Sequence, residues 1–268
     1  MSDTRKDPVG STIAQRAPEA LAAKAQQPWM RMMVLACFAG AFIAFGSVIS
    51  MVVQSGLARS NLGGGDAVGA VQLLSGLAFS VGLILVMIVG AELFTGNTMM
   101  VLPAATGALP VDRMIRAWIV VWTGNLIGSI VIALFFVAGG GLQDGVGEAA
   151  ASMVESKLAK SPLAVFCSAI LANMLVCLGV WMSMGATTIP AKILAITGPI
   201  MVFVAAGLEH SVANMSILPL GWLAMPPESA AWFAGLQNLV LSSLGNLGGG
   251  AFLAIGLAYG HNALRQEA

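Results

Sequence analysis

Acidic and basic side chains leave long gaps along this chain. Five stretches contain no Asp, Glu, Lys or Arg: 32–58, 67–91, 117–143, 161–191 and 229–264. All five are predominantly apolar, and a helix needs roughly 20 apolar residues to cross a bilayer. Each stretch predicts one crossing. Three shorter gaps, 93–111, 193–208 and 211–227, flank the isolated acids Glu92 and Glu209. The segment 193–227 is apolar on both sides of Glu209-His210, which predicts a sixth crossing interrupted near its middle. Six crossings return both termini to one side. The expected organisation is an N-terminal segment over 1–28, a six-helix transmembrane domain over 29–262 and a tail over 263–268.

Composition excludes most other classes. Of 268 residues, 12 are Lys or Arg and 12 are Asp or Glu, so charged residues make up 9% and the net charge is zero. Soluble domains carry roughly 25% charged residues. So few charges cannot cover a soluble surface, and a nucleic-acid binder needs excess Lys and Arg. The class left is an all-α, multi-pass membrane protein, with no nucleic acid as partner. Loop charges set its orientation. Nine basic residues (Arg5, Lys6, Arg16, Lys24, Arg31, Arg113, Arg116, Lys192, Arg265) fall on the side of the termini, against Arg59, Lys157 and Lys160 on the other. Both termini are expected to be cytoplasmic.

The first ten residues are polar and read as disordered. Residues 11–27 place Ile13, Ala17, Leu21 and Ala22 at helical spacing, which predicts an amphipathic helix at the cytoplasmic interface. The segment lacks the continuous apolar core of a signal peptide, so the chain reads as mature from Met1. Cys37, Cys167 and Cys177 fall inside predicted spans at no metal-binding spacing and read as packing residues. No metal or other cofactor is expected.

The two halves echo each other. Gly90-Ala91-Glu92-Leu93-Phe94-Thr95-Gly96-Asn97 interrupts the second crossing and Gly207-Leu208-Glu209-His210-Ser211-Val212-Ala213-Asn214 the fifth. In each, a Gly stands two residues before the Glu and an Asn five residues after it. Gly124-Asn125 in the third crossing pairs with Gly245-Asn246 in the sixth. A unit of three crossings must invert when repeated in tandem, so an inverted three-helix repeat follows.

Irregular backbone at membrane depth survives only where protein buries it or it lines a cavity. An ionisable group there costs ~2.5–3.5 kcal/mol on insertion scales and marks function by default. Glu92 and Glu209 read either as a proton or cation site or as carboxylates that accept loop N–H groups and fix each interruption. Their symmetry favours the structural role, shared with Asn97 and Asn214. His210 has no counterpart in the other half, so a direct role with a permeant or proton is expected there.

These segments, together with Asn173 in Ala172-Asn173-Met174-Leu175-Val176-Cys177-Leu178, resemble the signature of the formate/nitrite transporter family. Length, span number and order agree over nearly the whole chain. The resemblance implies an aquaporin-like protomer with helices 2 and 5 interrupted, each with its own pore, in a homopentamer of the bacterial-type inner membrane. It implies passage of formate, nitrite or hydrosulfide. It makes His210 the central histidine, Thr95 the threonine of the loop in helix 2 and Asn173 a pore-lining asparagine. Phe79 and Phe203 match the periplasmic constriction, and Leu83, Leu93 and Phe94 the cytoplasmic one. Lys157 matches a vestibule lysine, with Lys160 a close competitor.

Two routes across the apolar constrictions remain open. An imidazolium at His210 could pair with the anion, or His210 could hand over a proton so that a neutral acid crosses. The second is favoured, because an apolar vestibule destabilises the anion. Formate is the first expectation for substrate and nitrite the second. An intramembrane hydrolase using His210 and Ser211, a haem protein and an interaction scaffold are the alternatives from other classes. Adjacent residues such as His210 and Ser211 rarely set a base against its nucleophile, His210 and His261 should lie too far apart to share a haem, and a scaffold would not need two interrupted helices, so no enzyme activity is expected.

Overall fold

The computed structural model describes residues 10–59 and 68–264. Expectations for residues 1–9 and 265–268, including the disordered start and the placing of Arg5, Lys6 and Arg265, lie outside the described residues. The elements are α1 (Gly10–Ala25), α2 (Trp29–Arg59), α3 (Val68–Val89), α4 (Phe94–Asn97), a 3-10 turn (Thr98–Met100), α5 (Val101–Ala105) and α6 (Val111–Ala138). There follow α7 (Val146–Leu158), α8 (Pro162–Gly185), α9 (Ile189–Ala205), α10 (Ser211–Ala224), a second 3-10 turn (Pro227–Ser229) and α11 (Trp232–Gly260). Among the described residues all regular structure is helical, without a strand.

Local chemistry sets several starts. Ser161 caps α8 by accepting the Ala164 N–H, and Pro162 opens the helix. Thr188 caps α9 through the Ala191 N–H. Five helices, α2, α3, α6, α8 and α11, are long and apolar enough to cross a membrane, while α9 and α10 are shorter. Their outer faces carry large apolar side chains, such as Phe38, Phe45, Ile119, Phe135, Phe233 and Phe252, all exposed. The interior instead holds Glu92, Glu209, His210 and several asparagines. This distribution is the reverse of a soluble protein's and suits a hydrocarbon surround.

α2 packs against α3 and α6, α8 packs against α9 and α11, and α3 meets α9. Glycine makes the closest approaches possible. A Cβ on Gly128 would strike the Cys37 carbonyl across the α2–α6 contact, and one on Gly249 would strike the Ile170 carbonyl across α8–α11.

α1 forms where its spacing placed it, with Ala14, Ala17, Leu21 and Ala25 buried against the bundle. Its partners are α5, α6, α8, α11 and the first 3-10 turn. α7 was not foreseen. Residues 144–160 carry five charges and read as an outer connection. Yet Val146, Ala150 and Val154 recur at helical spacing and are buried, and α7 packs on α2, α10 and α11. Of the cysteines, Cys177 is buried, Cys37 is partly buried and Cys167 is exposed.

Candidate functional site

Two non-helical junctions lie between α3 and α4 and between α9 and α10. At each, a glycine with positive φ ends the first helix: Gly90 at 79° and Gly207 at 62°. Only Gly adopts that conformation without steric cost. The next N–H reaches back five residues, from Ala91 to Val86 O at 2.9 Å and from Leu208 to Phe203 O at 3.1 Å. This is the helix-ending turn that satisfies orphan carbonyls. It explains why a Gly stands two residues before each glutamate.

Both glutamates are buried, and neither stands alone. Glu92 accepts from Lys24 Nζ (3.1 Å), Gln27 Nε2 (3.0 Å) and Asn97 Nδ2 (2.9 Å). Glu209 accepts from Lys157 Nζ (3.1 Å), Lys160 Nζ (2.6 Å) and Asn214 Nδ2 (2.8 Å). The expectation that loop N–H groups would hold these carboxylates is corrected: every named donor is a side chain. Lys24 and Gln27 come from the end of α1 and the turn after it, and Lys157 and Lys160 likewise come from the end of α7 and the turn after it. The pairs share a three-residue spacing, and each comes from the C-terminal end of a short helix that precedes a long one. The charge differs between the sites. One lysine offsets Glu92, and two lysines surround Glu209. Burial pulls the Lys157 ammonium below the ordinary lysine range; the Glu209 charge opposes this and Lys160 adds to it.

Asparagines hold the far side of each junction. Asn125 Oδ1 accepts the Phe94 N–H (2.8 Å), and its amide donates to Ala36 O (2.8 Å) and Glu92 O (2.9 Å). Asn246 Oδ1 accepts the Ser211 N–H (2.8 Å), and its amide donates to Ala169 O (2.8 Å) and Glu209 O (3.1 Å).

Between the junctions, His210 Nε2 lies 2.9 Å from Thr95 Oγ1. His210 is also the N-cap of α10, and its Nδ1 accepts the Ala213 N–H at 3.1 Å. That acceptor role assigns the proton of a neutral ring to Nε2, which donates to Thr95. The ring stacks on Phe203 with centroids 5.5 Å apart, and Phe203 meets Phe79 edge-on at 5.5 Å. A cavity of about 600 Å³ has Phe79, Phe203 and His210 in its wall together with Lys157 and Lys160.

Residues 11–260 match the family described as formate/nitrite transporter. The chain belongs to the formate/nitrite transporter family. It is 35% identical to a probable formate transporter of Methanothermobacter thermautotrophicus, with 94% of this chain and 95% of that protein aligned. It is 33% identical to the nitrite transporter NirC of Escherichia coli over 84% of this chain and 82% of that one. A solved structure described as a pentameric formate channel with formate bound superposes with a TM-score of 0.78 at 31% identity, covering 88% of this chain and 98% of that chain. The family and its solved structures are channels and transporters, so the chain is a transport protein and not an enzyme.

The other residues read from the formate/nitrite transporter signature fall in two places. Leu83, Leu93 and Phe94 are buried together in the core beside the first junction. Asn173 lies outside the cavity wall. It is fully buried and its amide donates to Thr95 O (3.1 Å), Thr98 Oγ1 (2.9 Å) and Asn246 O (2.6 Å), so it fixes the backbone that presents Thr95. Sequence reasoning missed the roles of Lys24 and Gln27 at Glu92, and read Asn125 and Asn246 only as echoes between the two halves. The shared spacing Lys-x-x-Gln-Pro over 24–28 and Lys-x-x-Lys-Ser-Pro over 157–162 was the available signal.

Proposed function

We propose that this chain passes small monovalent anions, formate first and nitrite second, through a pore in each protomer. The observation that carries this reading is the His210–Thr95 contact, with His210, Phe79 and Phe203 in the wall of a cavity that Lys157 and Lys160 also line. In this reading α3 with α4–α5, and α9 with α10, each complete one interrupted crossing, giving six crossings in two inverted halves. Both termini are cytoplasmic in the inner membrane, and Lys157 faces the outer side. The assembly is a homopentamer, as in the pentameric formate channel that this chain resembles.

The uneven charge gives the pore its sign. Two lysines around Glu209 leave a net positive outer mouth that concentrates anions within about a Debye length, ~8 Å. The Phe79–Phe203 edge then opposes a bare anion. Proton coupling through His210 is the second half of the reading. A protonated ring passes its Nε2 proton to Thr95 Oγ1 while the Thr95 hydroxyl passes its own to the anion. A neutral acid and a neutral ring protonated at Nδ1 result, and return of that proton to Nε2 restores the Ala213 N–H bond. The charged ring forfeits the Ala213 N–H bond at Nδ1, which marks it as a transient species.

Competitive flux of formate, nitrite and hydrosulfide in one liposome preparation tests the substrate. His210→Phe tests the relay: uptake that keeps both its rate and its pH dependence in this variant rules the relay out.

A further inference from the structure

The cavity above Phe79 and Phe203 has a polar wall that the transport reading leaves unused. α2 contributes Ser47, Ser50 and Gln54, and α3 contributes Gln72 and Ser75. Serines within helices usually turn their hydroxyl onto a carbonyl of the preceding turn. Ser47, Ser55 and Ser80 do so, donating to Ile43, Val52 and Leu77. Ser75 does not. Its residue is 1% exposed, it lines the cavity, and its Oγ has no protein partner. Ser50 is equally buried, and its Oγ only accepts, from Gln54 Nε2 at 3.5 Å. Two buried hydroxyl protons therefore lack protein acceptors beside one cavity.

The helix crossing puts these serines at the same level. α2 touches α3 where a Cβ on Gly46 would lie 2.8 Å from Phe79 O. The helices run antiparallel. One turn outward on α2 is Ser50, and one turn outward on α3 is Ser75. Both stand one turn outside the Phe79 ring, in the cavity that Lys157 lines.

We infer that Ser50 and Ser75 form an outer anion site that receives a planar oxyanion with two acceptor oxygens before it meets the Phe79–Phe203 constriction. This deepens the proposed function and rests on it. A carboxylate or nitrite offers one oxygen to each hydroxyl, and hydrogen bonds to an ionised acceptor are the strong ones. The donors replace water that the anion sheds against the aromatic rings. Hydrosulfide has a single large, weakly accepting atom and gains little from two O–H donors. The pair therefore favours oxyanions over hydrosulfide.

The test is flux of formate, nitrite and hydrosulfide through native protein, Ser50→Ala, Ser75→Ala and the double variant in liposomes. The KM for formate and nitrite is expected to rise roughly fivefold in each single variant and further in the double, while hydrosulfide changes less than about twofold. If an alanine variant fails to fold, Ser75→Cys, nearly isosteric and a weak donor, should show the same selective rise. An unchanged KM, or an equal rise for all three anions, overturns the site and leaves the transport reading standing. Absence of flux for all three anions in native protein overturns both.

Discussion

Asn125 and Asn246 perform the same three-bond task in the two halves of the chain. Each side-chain oxygen accepts an N–H from the start of the helix after a junction, at 2.8 Å for Phe94 and for Ser211. Each amide donates to the carbonyl of the junction glutamate, Glu92 or Glu209. The side chain thus ties a third long helix to a non-helical segment and satisfies buried backbone that no solvent reaches.

Replacing either asparagine by alanine should therefore destabilise the fold to a similar degree. Each substitution strands one buried N–H and weakens two carbonyls, a cost of at least about 2 kcal/mol. Thermal unfolding in detergent reads this as a lower midpoint for both Asn125→Ala and Asn246→Ala. A native midpoint in either variant would contradict the role assigned to that residue.

The Glu209 site should respond strongly to loss of its two lysines. Glu209 is fully buried, with Lys157 and Lys160 as its cations. The double variant Lys157→Met/Lys160→Met leaves an unpaired buried charge, and breaking a buried pair this way costs about 3–5 kcal/mol. Adding Glu209→Gln removes that charge, so stability should return while anion uptake stays low. Recovery of uptake along with stability would show that the lysines do not attract the permeant.

Much of this arrangement was readable before the structure, and the unread part has a physical reason. Charge-free runs announced the long helices because hydrocarbon excludes charge along a whole span. Glu92 and Glu209 marked the junctions because a lone charge inside an apolar run is a local signal, and Gly90 and Gly207 were visible only as part of the repeated pattern. Asn125 and Asn246 were visible only as echoes, since their partners lie 31 and 35 residues away and no local pattern encodes a crossing contact. Lys24 was counted toward orientation, although its ammonium reaches Glu92 68 residues away. α7 was hidden by its own lysines and glutamates, which made an amphipathic helix look like a polar connection.

His210 has two jobs, and two substitutions separate them. Its Nδ1 caps α10 and its Nε2 meets Thr95. His210→Asn supplies a good N-cap oxygen for the Ala213 N–H but no titratable ring. His210→Phe loses both, and an N-cap is worth ~1 kcal/mol. The Asn variant should fold like native protein yet carry formate with a flattened pH profile, because it has no titratable ring to pass a proton. The Phe variant should show the same flattening with a lower unfolding midpoint. A native pH profile in His210→Asn would place the proton step elsewhere.

Gly250 tests whether the Asn173 contact positions Thr95. A Cβ there would collide with Thr98 Oγ1 and come within 2.9 Å of Asn173 Nδ2. Both groups bond to the Thr95 carbonyl. Gly256 is a control on the same helix, because a Cβ there meets nothing within 4 Å. Alanine at Gly256 should leave flux unchanged and add about 0.5–1 kcal/mol of helix stability. Alanine at Gly250 gains the same helical preference but must displace the Thr98–Asn173 pair, and with it the hydroxyl that faces His210. Near-attack geometry tolerates little displacement, and about 1 Å can cost 10²-fold in rate. Flux through Gly250→Ala should therefore fall well below that of Gly256→Ala. Equal flux in the two variants would mean that the hold on Thr95 does not set the rate of passage.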